Sequence, residues 1–306
     1  MPAYIARRLV QAALILLGVA AITYLLLYML PADPARMVAG RSATKDQVEL
    51  VRTQLGLDRP IYEQFGGYLW KLAQGDLGRS YLQRTRVTEL IGARLPASLM
   101  LMVGAILCEL VIGLTLGTIA ALRRGSALDQ GLMITALMFI STPQYVIALS
   151  LLYVFAYWLG WFPIGGYGEF KHLVLPAVTL GLLGGGWYAR VTRSSVIEVL
   201  RQDFIRTARA KGLNRWRIVS VHILPNAILP IVAMVGIDIG YFMSSIVVVE
   251  AVFGWPGIGQ LTWQAIQQID IPIIMGVTLL SACAIVLGNL LADLVAPLID
   301  PRIKLR

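Results

Sequence analysis

Charge is scarce in this sequence. Of 306 residues, 14% are Asp, Glu, Lys or Arg and 58% are hydrophobic, whereas a soluble domain carries about 25% charged residues. That shortage, with a mean hydropathy of +0.73, excludes an ordinary soluble domain and places the chain in a membrane. Histidine is scarcer still, at His172 and His222 alone, which excludes a zinc site of the HExxH kind. No G-x-S-x-G nucleophile elbow occurs, and neither does the G-x-x-x-x-G-K-[ST] loop whose amides and lysine cradle nucleotide phosphates. The Gly-rich run Gly181 to Gly186, GLLGGG, lacks the Lys and the Ser or Thr; inside an apolar segment it suits close helix packing. The two cysteines, Cys108 and Cys283, lie in apolar runs and read as small hydrophobes, not as disulfide or metal partners. The chain is therefore expected not to be an enzyme, to hold no metal and to carry no cofactor. Its net charge of +9 is assigned to orientation in the bilayer and not to nucleic acid, because cations flanking spans set topology.

What the sequence has in abundance is long apolar runs. A hydrocarbon core takes about 20 apolar residues per helix, and six candidates appear at 9–30, 97–122, 131–159, 173–188, 226–249 and 273–298. They predict an all-α polytopic membrane protein with six transmembrane helices. The first follows Arg7 and Arg8, but its apolar run outlasts the roughly 7–15 residues of a signal-peptide core and is read as a span. Residues 1–30 thus hold an N-terminal tail and the first span, 31–96 an extracytoplasmic loop, and 97–306 a five-span domain with a cytoplasmic loop at 196–224. Arg7, Arg8, Arg123, Arg124, eight cations from Arg190 to Arg217, and Arg302, Lys304 and Arg306 all fall on one side. The positive-inside rule makes that side cytoplasmic and puts both termini there. The opposite side has one cation, Lys171, in 160–172 and none in 250–272. Loop 31–96 carries ten cations and seven acids, but a segment of that length is exported largely regardless of charge.

That outer loop has helical signals of its own. Thr44 and Gln47 have capping-box spacing, Val48, Val51 and Leu55 follow at helical intervals, and Gly56 stands where a helix would stop. Pro60 opens a second pattern in which Ile61, Phe65, Tyr68, Leu69 and Leu72 share a face before Gly75. Two short amphipathic helices are expected, either packed on the outer ends of the spans or touching substrate.

Residues 206 to 225, RTARAKGLNRWRIVSVHILP, hold five cations, no acid and one glycine. Asp203 can cap a helix running to Lys211, Gly212 can end it, and Asn214 can start another toward Pro225. Thr207, Ala208 and Ala210 are small side chains among the cations, a slim surface that a groove on another protein could enclose. A positive loop resting on anionic lipid headgroups explains the cations equally well.

A resemblance separates the two. Arg206-Thr207-Ala208, Gly212 and Leu224-Pro225 resemble the cytoplasmic "EAA" loop of permease subunits in ATP-binding-cassette importers. Arg206 and Thr207 stand where that motif's name has Glu and Ala, and His222 where an Ile is usual. The run Ile205 to Leu213, IRTARAKGL, is similar to the dipeptide, oligopeptide, nickel and glutathione branch. So are Met29 to Pro34 (MLPADP, with Ala32 for Gly), Gly75 to Ser80 (GDLGRS), Arg193-Ser194-Ser195, Glu250 to Gly259 (EAVFGWPGIG) and Asp300-Pro301-Arg302.

The resemblance implies a type I ABC importer permease fold in a bacterial inner membrane and the import of short peptides, of di- or oligopeptide or glutathione type. Nickel chelate or another small solute is the alternative cargo. It implies as partners a second, homologous permease subunit, two ATP-binding-cassette ATPase subunits that carry ATP and Mg, and an extracytoplasmic substrate-binding protein. Membrane lipid is expected around the chain, and no nucleic acid. It makes Asp203, Arg206, Thr207, Ala208, Ala210, Lys211, Gly212 and Leu213 a helix that couples to the ATPase. Phe253, Trp255, Pro256 and Gly257 become a loop that meets the binding protein.

Trp187, Asp238 and Tyr241 are the candidates for the translocation pathway, Asp238 replacing the Gln that the resemblance leads one to expect. The competing class is an ion-coupled secondary transporter or channel, which runs on intramembrane charges. Glu109, Asp238, Glu250 and Asp293 are the acids placed for that. Glu250 and Asp293 lie near span ends, where solvation or a nearby cation is expected, whereas Glu109 and Asp238 lie deep enough to need a partner or a wet cavity.

Overall fold

The computed structural model describes residues 2–28, 33–40 and 43–299. Met29 to Ala32 of the MLPADP run, Asp300-Pro301-Arg302, Lys304 and Arg306 lie outside the described residues, as does the side chain of Asp293. The described chain is helical, with one isolated antiparallel bridge between Arg79 and Arg86. In order the helices are α1 (Pro2–Tyr28), α2 (Pro34–Ala39), α3 (Lys45–Gln54), α4 (Ile61–Ala73), α5 (Val87–Leu122), α6 (Ala127–Ser141) and α7 (Gln144–Leu151). They continue with α8 (Phe170–Leu200), α9 (Asp203–Ala210), α10 (Arg215–Arg217), α11 (Leu224–Ala227), α12 (Leu229–Ser245), α13 (Val247–Phe253), α14 (Ile258–Gln268) and α15 (Ile271–Ile299). Wider π-helical turns extend α7 over Leu152–Trp158 and join α10 to α11 over Ile218–Ile223.

Among the described residues, four helices are long and apolar enough to cross a membrane, α1, α5, α8 and α15. Two bent pairs bring the count to six: α6 with the α7 segment, bent by 105°, and the 215–227 segment with α12, bent by 51°. The first bend is local chemistry. Pro143 caps α7 and holds Thr142 extended at φ −85°, ψ 130°, as the residue before a proline prefers. Two spans are longer than their apolar cores. α5 starts at Val87 and takes Pro96 into its interior, and α8 runs to Leu200, so that the cytoplasmic loop predicted from 196 begins inside a helix.

Glycine sets the tightest seams. A methyl group on Gly181 would lie 2.3 Å from the Cys108 Cβ, and one on Gly113 would lie 2.2 Å from the Tyr188 Cβ. The GLLGGG run therefore packs α8 against α5, as the sequence suggests. α12 packs chiefly on α15, where Gly240 and Gly288 play the same part against Ile285 and the Gly236 carbonyl. The two helix pairs meet over a core of Leu101, Met102, Leu180, Phe242, Val249 and Trp255.

Outside this bundle, α3 carries the expected capping box. The Thr44 hydroxyl accepts from the Gln47 amide, and the Gln47 side chain accepts from the Thr44 amide. Gly56 and Gly75 follow α3 and α4 with φ of 69° and 77°. α4 lies against α1 through Tyr24, whose ring meets Phe65 and Tyr68 at 5.3 and 5.8 Å and whose hydroxyl donates to Gln64 at 3.1 Å. α2, which apolar periodicity gave no reason to expect, is capped by Asp33 and tied to α3 by the 2.6 Å Arg52–Asp33 ion pair.

Candidate functional site

Three groups of predicted residues fall at three levels of the bundle. At one end, α9 forms a short platform. Gln202 is its N-cap and Asp203 its first residue, one position later than the capping role expected of Asp203. At the other end Gly212 takes φ 70°, its amide donating to Arg209 O at 3.0 Å and the Leu213 amide to Ala208 O at 3.3 Å. This is the left-handed C-terminal cap for which glycine is the natural residue. The Asn214 side chain then accepts from the Trp216 amide and opens α10.

The platform has two faces. Ile205 and Ala208 are buried with Ile218, Val219 and Ile223, so Ala208 anchors the helix and is not presented. Asp203, Arg206, Thr207, Ala210, Lys211 and Gly212 are exposed, and Leu213 is half-buried. A cleft of about 490 Å³ beside them is lined by Leu122, Leu200, Arg209, Leu213 and Arg215. Among the described residues the surface has one ion pair, Arg206 with Asp203 at 3.8 Å on exposed side chains, so its remaining cations face outward.

At the opposite end, the Glu250 to Gly259 segment is a clasp folded into the bundle. Trp255 and Phe253 are 0% and 2% exposed. The Trp255 indole N–H donates to Ala97 O at 3.0 Å, its ring takes the edge of Tyr167, and the Gly166 amide donates to Phe253 O at 3.0 Å. Glu250, expected in solvent or beside a cation, is 0% exposed, with the Arg94 guanidinium nearby, donating to Gln260 Oε1 at 2.9 Å. It accepts from the Ser98 hydroxyl at 2.6 Å and the Gln260 amide at 3.0 Å, and the Ile258 amide donates to Ser98 Oγ at 2.7 Å. Gly257 leaves the room, since a methyl group there would lie 2.0 Å from the carboxylate. The two aromatics are thus interior side chains, not interfacial anchors or a projecting tip. Pro256 is half-buried and Gly257 buried.

Sequence reasoning missed a second acidic hub beside it. Asp270 is 1% exposed and receives the Ser80 hydroxyl and the Tyr81 and Leu82 amides, at 3.3 and 3.4 Å for the amides. The GDLGRS run is thereby tied to the start of α15. Burial beside Asp270 pushes the Tyr81 hydroxyl up to about 12. The motif was legible, but its partner 190 residues away was not.

Between the two ends, Asp238 of α12 faces inward. It accepts from the Tyr188 hydroxyl of α8, and its carboxyl meets that of Glu109 on α5. Trp187 and Tyr241 are 52% and 58% exposed, with the Arg190 guanidinium 5.5 Å from the centre of the Trp187 ring. The two aromatics are thus exposed, whereas Asp238 is half-buried. A bidentate ion pair from Arg193 of α8 to Asp129 of α6, at 2.6 and 2.8 Å, fastens the neighbouring span. Among the described residues no group of three His, Cys, Asp or Glu could hold a metal.

Comparison with known proteins matches nearly the whole chain. The family described as "Binding-protein-dependent transport system inner membrane component" matches residues 113–305, and its N-terminal companion matches residues 1–102. A putative peptide transport system permease protein of Brucella abortus is 38% identical over 312 residues, covering 99% of each chain. The glutathione transport system permease protein GsiC of Escherichia coli is 38% identical over 301 residues, covering 98% of each. Among solved structures, a chain of the inward-facing MetNI methionine ABC transporter has a TM-score of 0.59 at 20% identity, covering 69% of this chain and 97% of that one. That likeness shows the type I importer permease fold over the matched part of the chain.

Proposed function

Since this chain belongs to the family of binding-protein-dependent transport system inner membrane components, we propose that it is the pore-forming subunit of an ATP-driven importer that moves short peptides or glutathione into the cytoplasm. Its peptide and glutathione permease relatives support that class of cargo. In this reading it pairs with a second, homologous permease subunit. Two ATPase subunits carrying ATP and Mg sit beneath it, and a substrate-binding protein delivers cargo from outside. Both termini and α9 face the cytoplasm.

The observation that carries the reading is the build of α9. It is a capped helix with an exposed face of cations and small residues and a buried face of Ile205 and Ala208. A partner's cleft could close around Thr207 and Ala210 while Arg206, Arg209 and Lys211 meet acidic groups at its rim. Because Ile205 and Ala208 pack on Ile218, Val219 and Ile223, a push on α9 moves the 215–227 segment with it. That segment leads through its bend into α12, and α12 carries Asp238 and Tyr241. The route from platform to pathway is one continuous stretch of chain.

At the outer end, contact with the binding protein falls on the exposed backbone of Gly254 and the edge of Pro256, while Phe253 and Trp255 hold the clasp's shape. The test is co-purification of the tagged chain with its co-expressed partners in mild detergent. An ATPase should come with it, and hydrolysis should be lost, in the double variant Arg209→Glu, Lys211→Glu. A chain that purifies alone and passes ions or solute through liposomes without ATP overturns the importer reading in favour of an ion-coupled transporter or channel.

A further inference from the structure

Glu109 is 3% exposed, and its Oε2 receives no hydrogen bond from an N–H or O–H of the described residues. The fold nonetheless makes space for it. A methyl group on Gly184 of α8 would fall 1.6 Å from Glu109 Oε1, so α8 is notched where the carboxyl sits. Across the notch, the Glu109 carboxyl is within hydrogen-bonding reach of Asp238 on α12. Two ionised carboxylates are both acceptors and cannot bond to each other; one proton between them makes one a donor. The Tyr188 hydroxyl occupies the other side of Asp238.

Among the described residues no cation neutralises the pair. The titratable groups set against it are Tyr188 from α8 and Cys108 from α5. Where α15 packs behind α12, it presents Ile285 and the backbone of Gly288. Among the described residues no Lys, Arg or His adjoins the two acids. A carboxylate at such depth is costly unless protonated or paired.

The location matters as much as the chemistry. α5 is locked to α8 and α12 to α15, while α12 touches α5 and α8 only lightly. The acids bridge that lighter seam. We propose that Glu109 and Asp238 form a proton-binding site within the membrane, in which one shared proton fastens the α12/α15 pair to the α5/α8 pair. Loss of the proton leaves two carboxylates repelling across the seam, so protonation biases how readily the two pairs separate. The inference stands apart from the import reading, because it concerns the folded chain whatever that chain transports.

Infrared spectroscopy of the purified full chain, with the subunits that accompany it, tests this. At neutral pH the wild type should show the carbonyl band of a protonated carboxyl. The band should shift in Asp238→Asn and in Glu109→Gln, where an amide takes the place of one acid, and vanish in the double variant. The wild-type melting temperature should fall as pH rises through the loss of that band, since the folded state then surrenders a proton that stabilised it. The double variant should lack that fall. No band in the wild type, or a band that sodium ions remove at constant pH, overturns the proton site. A pH slope identical in wild type and the double variant overturns the latch.

Discussion

Glu250 and Glu109 are both glutamates buried in the bundle, at 0% and 3% exposure, yet their surroundings have opposite character. The clasp around Glu250 brings donors to the carboxylate, a hydroxyl from Ser98 and the amide of Gln260. The notch around Glu109 brings a second acid and leaves one oxygen without a donor. Burial alone therefore does not tell what a carboxylate is for; the balance of donors does. Where donors are supplied, the acid is a structural staple. Where they are withheld, a proton completes the site.

Breaking the staple should have the larger effect. Glu250→Ala strands the Gln260 amide and the Ser98 hydroxyl and opens a hole under Trp255. Unsatisfied buried donors cost about 1–3 kcal/mol each, so a loss of about 3–5 kcal/mol is expected, read as a lowered melting temperature or failure to insert. Gly184→Ala comes next. Its methyl group would fall 1.6 Å from Glu109 Oε1, and the carboxyl must swing away from Asp238. The expected loss is about 2 kcal/mol, within the range for overpacking, together with loss of the shared-proton band. If Gly184→Ala keeps the band while Glu250→Ala melts normally, the contrast between the two glutamates collapses.

Trp255→Phe sharpens the comparison within the clasp. It keeps a six-membered ring but removes the rest of the indole and the N–H that Ala97 O accepts, for about 2 kcal/mol of lost packing and hydrogen bonding together. Association with a binding protein, measured with purified components, should stay within twofold of wild type because this side chain faces the core. A tenfold loss of association at unchanged melting temperature would restore Trp255 as a contact residue.

What the sequence could announce was whatever chemistry is local. Apolar runs marked the spans, Thr44 with Gln47 marked a helix start, and Gly212 marked a helix end. The GLLGGG run marked a seam, because several glycines in an apolar segment have few other uses. The rest depended on distance. Ser98 and Glu250, or Ser80 and Asp270, are joined by pairings of 152 and 190 residues, and no periodicity reports them. Phe253 and Trp255 looked like anchors because two aromatics beside Pro and Gly at a span end fit an interfacial belt. Their burial follows from Ala97, Ser98 and Tyr167, all far away in sequence. The start of α5 lies before the apolar run for a related reason: the helix runs on through Pro96, whose ring and the Gly92 backbone it frees both lie on an exposed face.

The smallest expected change in melting temperature belongs to α9, where the comparison turns from the bundle's interior to an exposed surface. Gly212 sits at φ 70° with nothing within 4 Å of the place a methyl group would take, so a substitution there meets strain and no clash. Gly212→Val should cost about 1–2 kcal/mol locally, shared with fraying of the last turn of α9, and leave insertion and the melting temperature nearly unchanged. If α9 must keep its cap to seat in an ATPase, substrate-stimulated hydrolysis in the reconstituted complex should fall by an order of magnitude or more. Gly212→Asn should retain most activity, since Asn tolerates the left-handed region. Equal activity in the valine and asparagine variants would mean that the cap does not matter to coupling. The effect of the Arg209→Glu, Lys211→Glu pair would then be one of surface charge alone.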